Sequence, residues 1–421
     1  MVNHILQRIA EETGTPVYVY YEKRITDNYE NFYNAFRKRY PKVKVLYAYK
    51  ANASLAVCSL LKKEGAGADA VSGGEIETAL KLGVSGKDII YTSNAKTREE
   101  LRLAIDSCVV VNVDSVPELL IVEEIASEKR KKVQISFRIN PNVDPRTHPK
   151  IATGLKGSKF GLHIEDGIAF EAYRKAKDME HLDIVGLHTH IGSQIKESLP
   201  FVDAAEKVME FAHTLKEKLG IRLEFIDLGG GLGIPYQGEK TITPEDLAAA
   251  VVPIIGKWNK KLGYEPGLWL EPGRYIVADA GILLARVQTI KVTPYRKFIN
   301  LDAGFNTLIR PAMYDAYHRI TVVGKETAKA TEKYDVAGSV CESGDLFAKE
   351  RELPKAEAGD LMAIHDAGAY GYAMASRYNS RPMPPEVLIR RDGSYEIVRE
   401  RESIEDLFRG QKIPKDLPRY K

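Results

Sequence analysis

Short runs rich in β-branched and aromatic residues alternate along this chain with longer stretches whose apolar positions recur at helical spacing. Eight such runs follow one another: "KVLYAYK", "GADAV", "DIIYTS", "CVVVNVD", "VQISFRIN", "DIVGLHTHIG", "EFIDLGGG" and "LWLEPGR". Helical segments such as "LAVCSLLKKEG", "GGEIETALKLG" and "TREELRLAIDS" lie between them, and the last opens with a Thr97 to Glu100 capping-box pattern. Strand, helix, strand in steady alternation predicts parallel neighbours. The units run from Lys44 to Arg274, close to the roughly 250 residues of a (β/α)8 barrel.

A doubly wound sheet would share that alternation. The position of the polar residues separates the two folds. Lys50, Asp69 with Ser72, Asn94, Arg138, His188 with His190, Gly229 to Gly231, and Glu271 with Arg274 all fall at the C-terminal ends of their strands. A barrel gathers those ends at one mouth, so residues far apart in sequence can meet one ligand. After Arg274 the rhythm changes to strands without long helices: "ILLARVQTIKV", "KFINLD", "HRITVVG", "YDVAGSV", "DLMAIHD" and "EVLIRRDGSYEIV", the last with Asp392-Gly393 as a hairpin turn. The early strand "PVYVYY" has no helical partner and is assigned to the same sheet. The chain is therefore read as an α/β protein in which a (β/α)8 TIM-like barrel spans residues 27–285 and a mostly β domain is formed by residues 1–26 and 286–421.

Composition narrows the partners. With 421 residues the chain suits a large barrel plus a smaller domain. The balance of 61 basic against 58 acidic residues, net +3, is spread along the sequence and argues against a nucleic-acid partner. Cys58, Cys108 and Cys341 lie far apart without a CxxC pair, which argues against a disulfide framework or a zinc knuckle and fits a reducing cytoplasm. The start reads as a short helix and a strand rather than a secretion signal. The longest apolar stretch, "LAAAVVPII", is far short of the roughly 18 residues of a membrane span, so a soluble protein is expected.

Four segments carry candidate chemistry. Lys50 ends an apolar strand, where it is either a strand-end cation or a reactive amine. "DLGGGLG", Asp227 to Gly233, places three glycines where a helix should begin: a tight turn, or a cradle whose backbone N–H groups close on a phosphate. "LHTHIGSQ" offers His188 and His190 on one side of a strand, either structural, stacked on a flat ring, or metal-binding; no carboxylate or cysteine nearby completes a ligand set, so no metal is expected. "LEPGRY" ends the eighth strand with Glu271 and Arg274. Pyridoxal 5'-phosphate would use all of these: a lysine for its Schiff base, N–H donors for its phosphate, a flat partner for its ring, and a charged residue at its pyridine nitrogen. A carboxylate at that nitrogen lets electrons left at Cα drain into the ring and favours decarboxylation, whereas an arginine would suit racemisation.

The blocks "YAYKAN", "GADAVSGGE", "TGLKGSKFG", "HTHIGSQ", "DLGGGLGIPY", "EPGR", "SVCESGD" and "DAGAYGYAMASRYNSRP", in that order, make the chain resemble the diaminopimelate decarboxylases, pyridoxal-phosphate enzymes of the alanine-racemase-like fold type. The resemblance implies a homodimer with active sites shared between subunits, and decarboxylation of meso-2,6-diaminopimelate to L-lysine. It implies Lys50 as the Schiff-base lysine, His190 on the cofactor ring, and Ser193, Gly229, Gly230, Gly231, Gly273, Arg274 and Tyr370 around the phosphate, Arg274 and Tyr370 also reaching substrate. Cys341, from the partner chain, would be the proton donor. Asp69, Glu75 and Arg138 match a supporting charged set. Arg310 with Tyr314, and Glu342, suit a distal group bearing both a carboxylate and an ammonium. Decarboxylation of another basic amino acid or of carboxynorspermidine, and racemisation, are the alternatives.

Overall fold

The computed structural model describes residues 2–417, which divide into two compact units, one of Glu22–Ala280 and one of the residues up to Tyr21 together with those from Gly281 onward. The division precedes positions 27 and 286 by a few residues. Helix Glu22–Arg37 buries Ile25, Phe32 and Phe36 and belongs with the larger unit, while Gly281 opens a long strand of the smaller one.

The larger unit is a closed parallel barrel of eight strands: β1 Val43–Ala48, β2 Gly67–Ala70, β3 Ile89–Tyr91, β4 Val110–Val113, β5 Val133–Asn140, β6 Leu182–His188, β7 Phe225–Asp227 and β8 Gly267–Leu270. Each pairs with the next in sequence, and β8 closes the ring on β1 through Leu268 opposite Val43 and Leu270 opposite Val45. These are the eight strands that the hydrophobic pattern predicts. Leu46, Ile90, Val110, Val185, Phe225 and Trp269, from six strands around the ring, form one buried cluster. The Phe225 and Trp269 rings stack at 3.6 Å. Gly186 is required beside them, because a Cβ there would lie 2.1 Å from the Phe225 ring. Thr97 and Glu100 form the predicted reciprocal capping box at helix Arg98–Asp106. An insertion after β5 adds a short parallel strand, Leu162–His163, paired with Ile139 and Asn140.

Among its described residues the smaller unit holds a nine-stranded sheet. Strand Val17–Tyr21 lies inside it, antiparallel to Gly281–Val292 and parallel to Glu386–Ile389, as its lack of a helical partner predicts. Helix Val2–Thr13 packs Leu6 and Ile9 against Val17, Val19, Ile282 and Leu284. One edge strand, Leu346–Leu353, escapes the sequence reading. Its second half is Lys349-Glu350-Arg351-Glu352; charges of this kind protect a sheet edge from further pairing and erase the apolar signal.

Candidate active site

The C-terminal ends of the barrel strands carry the charged groups. Lys50 follows β1, and its Nζ donates to Asp69 Oδ2 at 2.6 Å. Asp69, fully buried in β2, also accepts from the Thr92 hydroxyl. Burial raises the Asp69 carboxyl, Glu271 adds to the rise, and Lys50 opposes both. Behind this pair Glu75 accepts from the Val71 N–H at 2.7 Å, and burial pushes its carboxyl up to about 7. Arg138, buried at the end of β5, lies over the Phe160 ring at 4.2 Å.

A second group sits on β6, β7 and β8. His188 Nε2 meets Glu271 Oε2 at 3.1 Å. A carboxylate only accepts, so Nε2 carries a proton. Burial would lift the Glu271 carboxyl, but His188, Lys50 and His190 outweigh it and hold the group below its usual range. Asp227 behaves oppositely: burial, reinforced by Glu271, pushes its carboxyl well up. One oxygen each of Glu271 and Asp227, and Nδ1 of His188, are buried without a hydrogen-bond partner. These three residues correct the expectation that no carboxylate lies near the histidines. One donor atom from each comes within 4.8 Å of the others, near enough for a shared cation. Asp227 is 39 residues from His188 and Glu271 is 44 further on, so only barrel closure brings them together.

His190 is half-buried, and its Nδ1 accepts from the Gly230 N–H at 3.2 Å. Burial, with Lys50 and Arg138, depresses the imidazole well below its usual value, leaving a neutral ring. The glycines are needed for proximity: a Cβ at Gly229 would lie 2.5 Å from the Thr189 carbonyl and one at Gly230 2.1 Å from that of Glu271. The triplet does not open a helix, contrary to expectation. Gly231 has φ +117°, its carbonyl accepts from Ile195, and the next helix begins only at Pro244, capped by Thr243. Any anion cradle here rests on local backbone, not on a helix dipole. Arg274 opens a short helix after Gly273; its Nη2 donates to Ser193 Oγ at 2.9 Å and its Nη1 to Tyr236 OH at 2.9 Å. Neither hydroxyl brings a charge of its own to the guanidinium.

Arg310, Tyr314, Cys341, Glu342 and Tyr370 belong to the smaller unit. Arg310 is buried, opens the short helix Arg310–Tyr314, and directs Nη1 at His318 Nε2, 3.1 Å away. Tyr314 and Tyr370 are half-buried, and Tyr370 has a left-handed backbone, φ +57°. Cys341 and Glu342 are exposed on a loop gripped from two sides. Below, buried Asp345 accepts from the N–H groups of Val340 and Phe305, both at 2.6 Å. Alongside, Arg381 donates to the Ser339 carbonyl, Asn379 Oδ1 accepts from the Cys341 N–H at 3.2 Å, and the Tyr378 hydroxyl donates to Glu342. Asn379 and Ser380 both take left-handed φ values. Glu342 and Arg310 thus have different hydrogen-bond partners within the chain.

Sequence reasoning passed over Asp227, Tyr236, His318, Asp345 and Asn379. Asp227 and Tyr236 lie inside "DLGGGLGIPY", Asp345 ends "SVCESGD", and Asn379 lies in "RYNSRP", so the signal was adjacency to residues already singled out; His318 had none.

Residues 26–278 match the family model described as pyridoxal-dependent decarboxylase, pyridoxal binding domain. Diaminopimelate decarboxylase of Methanothermobacter thermautotrophicus is 50% identical over 96% of this chain and 94% of its own length, and that of Methanocaldococcus jannaschii is 46% identical over 97% and 94%. The crystal structure of the M. jannaschii enzyme in complex with L-lysine superposes with a TM-score of 0.91 at 46% identity, covering 97% of this chain and 94% of that one. With these likenesses over nearly its whole length, the chain belongs to the diaminopimelate decarboxylase family of pyridoxal-dependent decarboxylases.

Proposed function

We propose that the protein decarboxylates the D centre of meso-2,6-diaminopimelate to give L-lysine and carbon dioxide, with pyridoxal 5'-phosphate as cofactor and the cytoplasm as its compartment. One observation carries the reading. In a barrel that keeps Lys50 partly exposed, the ionised Glu271 holds a buried oxygen with no protein partner. That donor set fits the cofactor: an amine for its aldehyde carbon, an acceptor for a pyridine N–H, the neutral His190 ring for its face, and Ser193, Gly229 to Gly231, Gly273 and Arg274 for its phosphate, the end to which the family resemblance also assigns Tyr370. When bound, pyridoxal phosphate supplies a sink for the electron pair left at Cα.

The protein's own groups do the rest. Glu271, kept anionic by His188, retains the proton on the pyridine nitrogen, which favours decarboxylation over racemisation. Asp69 orients Lys50. Arg310 and Tyr314 hold the distal carboxylate, which lysine and ornithine lack, and Glu342 holds the distal ammonium. The Cys341 thiol delivers a proton to Cα and is left as thiolate. All three cysteines are free, in keeping with a reducing compartment, and among the described residues no helix is long and apolar enough to cross a membrane.

The test is an assay of purified protein with pyridoxal phosphate and meso-diaminopimelate, L-lysine, L-ornithine, L-arginine or carboxynorspermidine, following carbon dioxide and product. Release of L-lysine from diaminopimelate alone is expected; turnover of another amino acid in its place overturns the assignment. We further propose a homodimer in which Cys341 and Glu342 serve the partner's barrel. Equal mixing of inactive Lys50→Ala and Cys341→Ala chains, dissociated and reassociated, should restore about a quarter of wild-type activity under random pairing. Verified heterodimers that stay inactive rule out sharing.

A further inference from the structure

His318 is fully buried, and its two nitrogens have distinct duties. Nδ1 lies 2.8 Å from the His365 carbonyl oxygen, which can only accept, so Nδ1 carries the proton. Nε2 is left with a bare lone pair, and Arg310 Nη1 points at it from 3.1 Å. The imidazole is fixed from behind as well. The His318 carbonyl accepts from Arg351 Nη1 at 2.8 Å, and the His365 N–H donates to the Arg319 carbonyl at 2.8 Å, pinning the strand that supplies the acceptor.

The choice of acceptor matters. A carboxylate against a buried guanidinium would cancel its charge and compete with an incoming anion. A neutral imidazole holds the fork in one orientation and brings no charge of its own to it. Arginine recognises a carboxylate through a planar two-pronged contact, so a small rotation of the fork costs most of the interaction.

We propose that His318 is a positioning residue for substrate specificity: its fixed tautomer orients Arg310 so that the smaller unit selects an amino acid with a distal carboxylate. This rests on the proposed function, in which Arg310 receives that carboxylate. His318 touches neither substrate nor cofactor in this scheme and acts through Arg310 alone.

Two measurements test it. Holoenzyme carrying His318→Ala should show a Michaelis constant for diaminopimelate raised roughly ten- to a hundredfold, the scale of losing one hydrogen bond to a charged group, with kcat and cofactor absorbance within about threefold of wild type. His318→Gln, which offers a carbonyl acceptor, should recover part of the loss. A folded His318→Ala enzyme with an unchanged Michaelis constant, or one whose kcat falls as far as its binding, overturns the proposal. Independently of activity, nitrogen-15 NMR of selectively histidine-labelled wild-type protein should show His318 as the Nδ1–H tautomer with a slowly exchanging ring proton. The Nε2–H tautomer overturns the proposal even if the alanine variant does not fold. If wild-type holoenzyme leaves diaminopimelate untouched while the tautomer is as stated, the functional reading has failed and the orienting geometry has not.

Discussion

The barrel mouth and the Cys341 loop hold their polar groups by opposite means. At the mouth, Asp69, His188, Asp227 and Glu271 are all buried, and burial and near neighbours move the carboxyls apart: Glu271 is held below its usual range while Asp227 beside it is pushed well up. On the loop, Cys341 and Glu342 are exposed and are positioned through a backbone N–H, a tyrosine hydroxyl and an asparagine side chain. Electrostatic interactions gain strength where water is excluded, and a group left without its partner there pays the full desolvation cost. In water the same hydrogen bond contributes little. The mouth therefore fixes charge, and the loop fixes geometry.

That contrast predicts a gradient of effects. Lys50→Ala should be the most severe change, lowering turnover by about four powers of ten or more, the scale of removing a covalent catalytic group. The wild-type protein should be yellow with pyridoxal phosphate, and borohydride should fix the cofactor on the peptide containing Lys50; cofactor mass on a different peptide breaks the assignment. Glu271→Gln should come next. It should bind cofactor but lose roughly two to four powers of ten in turnover, the effect of one preorganised electrostatic partner. Unchanged turnover would remove Glu271 from the chemistry and with it the argument that the mouth fixes charge.

Asn379→Ala should be the mildest. Its acceptor is exposed, so turnover should fall about two- to tenfold, as for one hydrogen bond of ordinary strength, with cofactor absorbance intact. Hydrogen exchange resolved by residue should show the Cys341 amide opening while the Val340 amide, held by buried Asp345, stays protected. Asn379→Asp, which keeps the oxygen, should restore the protection. A loss as deep as that of Glu271→Gln would erase the distinction between the two regions.

The barrel was legible because its strands and helices each obey a short-range period, and because lysine, histidine, glycine and glutamate stand at strand ends where apolar residues would otherwise continue. The Leu346–Leu353 strand was hidden because an edge carries charge in place of alternation. His318 gave no signal: one histidine in "YHRI" is indistinguishable from a surface residue until the sheet closes over it. Arg310 was singled out for its charge, but its contact with His318 was not legible.

The sequence by itself determined the order of elements, the division into a barrel and a β-rich unit, and the residue types at each strand end, since these follow from local periodicity and turn chemistry. Only the tertiary structure decided which of those residues share a proton or a hydrogen bond. Ring closure of β8 on β1 completes the barrel in which Glu271 meets His188 and approaches Asp227, and the sheet sets His318 between Arg310 and His365. Protonation and orientation at these groups depend on burial and on neighbours within a few ångströms, and no spacing along the chain encodes either.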